Sequence, residues 1–258
     1  MASYKDWISK IDIDIDYFAA FIKAWIAFNS WYRSQFPDGS DRDVVEKIKS
    51  ENNAFRSYLE AFLDKHSESD NSVYFRENLD KLHKALLEAA ISTQERTGDS
   101  RQITFTEIPC VNTKNKIDEC KRNIRFKIER SRQKVTMSVF HNERPSEIYF
   151  EFEQESYNEI EIDRHSDFLS MADSNQKRFK AFYKEVRPYI IENILTRNSR
   201  TNEVVFIDDR TKVSQGIIEV LYLLRCSLMH GDVFPDKVTS EVYKFAYNIL
   251  AMTLKKLV

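Results

Sequence analysis

Ile8-Ser-Lys-Ile11-Asp-Ile-Asp-Ile15-Asp-Tyr-Phe18-Ala-Ala-Phe-Ile22-Lys-Ala-Trp25-Ile-Ala-Phe-Asn29-Ser-Trp-Tyr32 admits two readings. The start alternates Ile11, Ile13 and Ile15 with aspartates, as a half-buried strand would. Over the longer window Ile8, Ile11, Ile15, Phe18, Ile22, Trp25, Asn29 and Tyr32 recur at spacings of three and four, one continuous helical stripe. The helix wins because its period holds across the whole segment. Pro37-Asp-Gly39 then ends it. A second helix is expected from about Arg42 to Lys65, with Val45, Ile48, Phe55, Leu59 and Phe62 inward. After the polar loop Ser67–Ser72, a third carries Val73, Leu79, Leu82, Leu86 and Ala90.

The period changes at Thr97-Gly-Asp-Ser100. Beyond it Ile103/Phe105, Ile124/Phe126/Ile128, Val135/Met137/Val139, Ile148/Phe150/Phe152 and Ile160/Ile162 alternate, predicting an antiparallel sheet with one wet face. Helical spacing returns from Gln176 to Ile194, Val204–Ile207 reads as a short strand, and two helices follow, about Lys212–His230 and Asp236–Leu257. The expected architecture is mainly α, a helical bundle interrupted by a β-rich insertion and thus α+β overall. Its parts are residues 1–97, the insertion 98–165, and residues 166–258.

Composition narrows the function classes. Four glycines in 258 residues, against about 7% in an average chain, exclude Gly-rich phosphate loops. The formal charge of −2 excludes a uniformly basic nucleic-acid binder, though not a local basic patch. Three cysteines without paired spacing predict free thiols and a reducing cytoplasm. There is no signal-peptide layout and no apolar run of membrane-spanning length, so no membrane partner is expected. Cys110, Cys120 and His141 lack zinc-ligand spacing, Asp208-Asp209 reads as an acidic turn, and neither metal nor cofactor is expected.

The helix before the last carries the chemistry. At 100° per residue, Ile217, Leu221, Leu224 and Leu228 fall within about 60° of each other, a stripe for the chain's own core. Tyr222, Cys226 and Met229 form a second semi-apolar face, flanked by Arg225 and His230. A helix apolar on two faces is buried twice, and the second face predicts a homodimer through the Arg225–His230 helix. Arg225 and His230 then lie about 7.5 Å apart along the helix axis, beside that contact. Gly231 suits the cap, placing His230 in the last turn.

Arg225-Cys-Ser-Leu-Met-His230-Gly-Asp232 resembles the R-x4-H signature of HEPN domains (higher eukaryotes and prokaryotes nucleotide-binding). Ala24-Trp-Ile-Ala-Phe-Asn29-Ser-Trp-Tyr32 is similar to the aromatic, Asn-containing opening helix of HEPN-like proteins from bacterial defence loci. The likeness covers the first helices and the last two; Cys226 departs from the polar residue usual after the arginine. It implies a HEPN-like bundle and a metal-independent endoribonuclease that cleaves RNA through the 2′-hydroxyl at a composite dimer cleft, as a toxin or effector in antiphage defence. Arg225 would grip the scissile phosphate and His230 would move protons, with Asn29, Tyr32, Tyr222, Cys226 and Asp232 in support. The alternatives are a non-catalytic module binding nucleotide or protein, or the regulatory subunit of a toxin–antitoxin pair, with a protein partner or antitoxin.

Three local readings stay open. Arg225 can instead pair with an acid such as Asp232, leaving His230 an ordinary helix-end residue. Asn29 orients the Arg225–His230 helix or is simply a satisfied core amide. Lys114–Lys134 holds nine basic residues against three acids, and its outward Arg125 and Lys127 suit an RNA backbone. Residues 143–163 hold eight acids and one arginine, so neighbouring strands can neutralise one another instead. A looser spacing also catches Arg76 and His83, read as a coincidence.

Overall fold

The computed structural model describes residues 16–94, 100–131 and 134–258. Helix α1 (Tyr17–Gln35) starts at Asp16, whose side chain accepts the Ala19 N–H at 3.1 Å. Ile8, Ile11 and Ile15 of the expected stripe lie outside the described residues. The face that α1 buries is Phe21, Trp25, Phe28 and Tyr32, with Ile22 and Asn29 only half-buried. The expected stripe is therefore turned by about 60°. Aromatic partners decide the rotation: Phe28 packs on Phe55 at 4.3 Å between ring centres and Phe21 on Tyr243 at 5.3 Å. Each fully buried phenylalanine contributes about 1.5–3 kcal/mol of transfer free energy.

The single helix expected from Arg42 to Lys65 is two, α2 (Asp41–Ser50) and α3 (Ala54–Phe62). Asn53 causes the break. Its amide donates to the Ile48 and Glu51 carbonyls while its oxygen accepts the Arg56 N–H, closing one helix and capping the next. Helix α4 (Asp70–Ala89) begins at the Ser69 cap, and Phe75, Leu79, Leu82 and Leu86 face inward. Val73 and Ala90, expected in this core, are exposed; Ala90 is the left-handed residue that ends the helix.

Strands β1 (Ser92–Gln94) and β2 (Ser100–Gln102) pair antiparallel. Ile103 and Phe105 are buried but lie outside any strand. Of Thr97–Ser100, residues 97–99 are outside the described residues. Strand β3 (Ile108–Val111) leads into a second compact unit, Cys110–Ile191, distinct from the unit that ends at Pro109 and resumes at Glu192.

The second unit is built on an antiparallel meander, β4 (Lys116–Lys121), β5 (Ile124–Ser131), β6 (Lys134–His141) and β7 (Ile148–Gln154), in that spatial order. The register Phe126↔Val139↔Phe150 and Ile128↔Met137↔Phe152 aligns the alternating apolar residues. Helices α5 (Glu159–Arg164), α6 (Ser166–Ser170) and α7 (Asp173–Glu185) supply Ile162, Phe168, Phe179 and Tyr183 to the same core. Ile160/Ile162, expected to be a strand, thus belong to a helix, which Asn158 starts by accepting the Ile160 N–H. The packing of Phe179, Tyr183 and Val186 also explains why this unit reaches 191 rather than the expected 165. At its other end, Phe105 packs with His83 and Phe206 of the first unit, so the division falls after Pro109 rather than at 98.

Strands β8 (Tyr189–Glu192), β9 (Leu195–Arg197) and β10 (Val204–Phe206) precede α8 (Arg210–His230) and α9 (Lys237–Leu254). Asp209 caps α8 by accepting the Lys212 N–H, and Asp208 pairs with Lys65 at 3.2 Å. Every residue from Val213 to Leu221 is buried, so the first half of α8 is enclosed all round. Gly216 sits where a Cβ would come within 2.4 Å of the Ile194 Cδ1. Helix α9 packs on both α1 and α4, and its buried Tyr243 hydroxyl donates to the Leu224 carbonyl at 2.9 Å. Among the described residues no helix is long and apolar enough to cross a membrane, and no disulfide joins Cys110, Cys120 or Cys226. The chain is mixed α+β, with the helices of the first unit carrying the site.

Candidate functional site

The second half of α8 emerges from the core at Tyr222, and its polar residues meet α1 and α2. Arg225 is a quarter exposed and donates through Nη2 to Asp41 Oδ2 at 3.3 Å. Asp41 opens α2, directly after the turn at Pro37–Gly39, and its other oxygen takes Arg33 from the end of α1. The Tyr32 hydroxyl lies near the same carboxylate. Burial first, then the nearby Asp41 carboxylate, pushes the Tyr32 phenol up to about 12. Asn29 Nδ2 donates to the Tyr32 oxygen at 2.5 Å. Asn29 with Tyr32 and Asp41 with Arg225 thus form two polar pairs side by side.

Tyr222 and Cys226 line the other side. Burial first, then the neighbouring Cys226, raises the Tyr222 phenol to about 12. Cys226 Sγ also lies 3.9 Å from an Arg225 nitrogen. The Tyr222 ring stands 6.2 Å from Trp25 and under the Arg42 guanidinium at 5.3 Å. Half of the face expected to meet a second copy is thus covered by the chain's own α1 and α2. The uncovered part is Met229, 59% exposed, with Phe234 beyond the helix end at 76%.

One turn deeper, Glu219 is 1% exposed and accepts from Lys49 at 2.9 Å and from Arg42 at 2.8 Å. Burial alone would raise its carboxyl, but Lys49 and Arg42 outweigh burial and hold it below the usual carboxylate range. Lys49 is itself wholly buried, and Glu46 joins both cations from the next turn of α2. The network anchors α2 to α8 and so sets where Asp41 meets Arg225.

His230 occupies the last turn of α8 and Gly231 follows in the left-handed region at φ 77°, as expected. Its side chain is exposed and has no hydrogen-bond or ion-pair partner among the described residues. Asp232 is exposed; its backbone N–H bonds Ser227, while the acid that pairs with Arg225 is Asp41. Arg76 is consumed by the Phe62, Asp64 and Ser67 carbonyls. His83 is buried against Phe105 and Phe206, so that spacing is structural.

In the second unit, Arg125 donates side-on through Nε and Nη2 to the two Asp118 oxygens at 2.7 and 3.0 Å, and Lys127 lies over the Phe140 ring at 5.4 Å. Lys116–Glu129 and Lys134–Glu153 pair across neighbouring strands. Lys116, Asp118, Lys127, Glu129 and Glu153 border a shallow depression of about 530 Å³ whose charges are mixed in sign. The Arg132 of this basic run lies outside the described residues.

Sequence reasoning missed Arg33, Asp41 and Arg42. Arg33 was legible as the neighbour of Tyr32, but nothing periodic links Asp41 to an arginine 184 residues away. Comparison with protein-family models, curated proteins and solved structures finds no match to this chain.

Proposed function

We infer that the chain is a metal-independent endoribonuclease of HEPN type, acting as a toxin or effector in antiphage defence. The observation that carries the reading is the contrast between its two motif residues. Arg225 is oriented by Asp41 yet a quarter exposed, and His230 stands free on the same helix. In this mechanism a base takes the proton of the ribose 2′-hydroxyl and the 2′-oxygen attacks phosphorus. The bond to the 5′-oxygen breaks and that oxygen receives a proton, leaving a 2′,3′-cyclic phosphate and a 5′-hydroxyl. His230 moves protons, since an imidazole works at neutral pH. Arg225 stabilises the charge growing on the phosphorane oxygens. The uncovered Met229, beside His230, is where a second copy would complete a composite cleft.

The ion pair to Asp41 favours a second reading, a non-catalytic module in which Arg225 is a structural cation and the chain binds nucleotide, a protein partner or a toxin. Purified protein incubated with total RNA in EDTA separates the two. Cleavage is expected in wild type and is expected to fall about 10²–10⁴-fold in His230→Ala, with comparable loss in Arg225→Ala and matching circular dichroism. His83→Ala should cleave normally. Full activity in His230→Ala, or a requirement for a divalent metal, rejects the mechanism.

A further inference from the structure

We propose that Arg33 and Arg225 form a single phosphate-binding site whose resting occupant is the Asp41 carboxylate. The geometry is a bridge: Asp41 gives one oxygen to Arg33 and the other to Arg225, so two guanidinium groups from α1 and α8 converge on one anion. Two such groups on two oxygens is the arrangement in which arginines hold a phosphate.

The local charge supports an added anion. Arg33, Arg225 and Asp41 sum to one net positive charge. Of the neighbouring carboxylates, Glu46 and Glu219 are already held by Arg42 and Lys49, and Asp43 accepts from the Ser40 N–H and hydroxyl. All three groups of the bridge are between a quarter and a third exposed, so an outside ligand can reach them.

The two arms differ in how firmly they are held. Arg33 also donates to the Gly39 carbonyl at 2.8 Å, so its guanidinium stays in place without Asp41. Arg225 meets Asp41 at 3.3 Å, longer than the roughly 2.7–2.9 Å of a close charged hydrogen bond. Arg225 is thus the arm that exchanges carboxylate for phosphate. The Tyr32 hydroxyl, which accepts from Asn29 and so keeps its own proton to give, stands near as a further donor to the incoming oxygens.

Asp41 is therefore a built-in competitor that keeps the site occupied until a phosphate displaces it. The inference rests on reading Arg225 as the phosphate-gripping residue; it adds Arg33 as a second grip and Asp41 as the restraint. The ligand chemistry is a phosphate oxygen pair, from an RNA backbone or a free phosphate.

Binding is measured on the His230→Ala chain, which is expected not to cleave, by fluorescence anisotropy with a 2′-O-methylated single-stranded oligonucleotide. Competition with inorganic phosphate and AMP distinguishes a backbone ligand from a free one. Arg33→Ala is expected to weaken binding about tenfold and to lower the salt slope by about 0.7. Asp41→Asn is expected to tighten it about two- to fivefold, the scale of a part-exposed ion pair. Because Asp41→Asn can disturb α2, phosphate-induced thermal stabilisation is read alongside and should be larger in that variant than in wild type. Unchanged binding in Arg33→Ala, or weaker phosphate stabilisation in a folded Asp41→Asn chain, overturns the proposal. Binding that follows these expectations without cleavage by wild type keeps this site and removes the nuclease. Cleavage indifferent to Arg33→Ala does the reverse.

Discussion

In the helical unit Glu219 is almost wholly buried and bonded to a lysine that no solvent reaches, whereas in the sheet unit Lys116–Glu129 and Lys134–Glu153 leave about half of each side chain exposed. The composition is similar but the consequence is not. An exposed cross-strand pair trades water for a partner at little gain, about 0–1 kcal/mol. A buried pair has lost its water already, and removing either member strands the other charge in the core. The sheet therefore spends its charges on solubility and register over an apolar interior built of Phe126, Phe150 and Phe179. The helical unit places charge inside, where it locks α2 to α8 and brings Asp41 to Arg225.

The largest expected effect follows from that contrast. Glu219→Leu should destabilise the protein by about 3–5 kcal/mol in a denaturant titration, because the wholly buried Lys49 loses its partner at 2.9 Å and Arg42 loses one of its two carboxylates. The double variant Glu219→Leu/Lys49→Met should recover much of the loss; a double variant no better than the single would show that packing, not charge, is at stake.

Acid sharpens the same point. The folded-state pKa of Glu219 lies below its unfolded value, so its contribution is complete above the unfolded carboxylate pKa of about 4.3. It is lost as pH falls through the lower folded value. Wild type should therefore lose stability below about pH 4.3 more steeply than Glu219→Gln when both are melted across pH 3–6. Parallel curves would remove Glu219 from the account.

The smallest effect belongs to the sheet. Lys134→Ala should leave the denaturant midpoint almost unchanged, and 0.5 M salt should erase any difference. A loss comparable to that of Glu219→Leu would break the comparison.

The same contrast explains what the sequence disclosed. Strands β5 to β7 were legible because Phe126, Met137 and Phe150 alternate over a sheet with one wet face, and α8 was legible from its stripe and from Gly231. The break between α2 and α3 was not, since Val45, Ile48, Phe55 and Leu59 keep helical spacing straight through it; only the hydrogen bonds of Asn53 mark it. The rotation of α1 was hidden because Ile22 and Asn29 fit the period as well as Phe21 and Phe28; Phe55 and Tyr243, distant in sequence, select between them. In the site, Arg225, Tyr222, Cys226, Asn29 and Tyr32 were identified and do come together. Asp41 was missed because an ion pair between two helices has no sequence period.

The proposed activity is RNA cleavage through the 2′-hydroxyl by Arg225 and His230. Its most direct test is the chemistry of the ends formed when wild-type protein cuts a defined oligoribonucleotide in EDTA. The account predicts 2′,3′-cyclic phosphate and 5′-hydroxyl ends, with no cutting where the nucleotide 5′ of the cleaved bond is 2′-deoxy. Ends bearing a 5′-phosphate and 3′-hydroxyl, or cutting that tolerates the 2′-deoxy nucleotide, would contradict it.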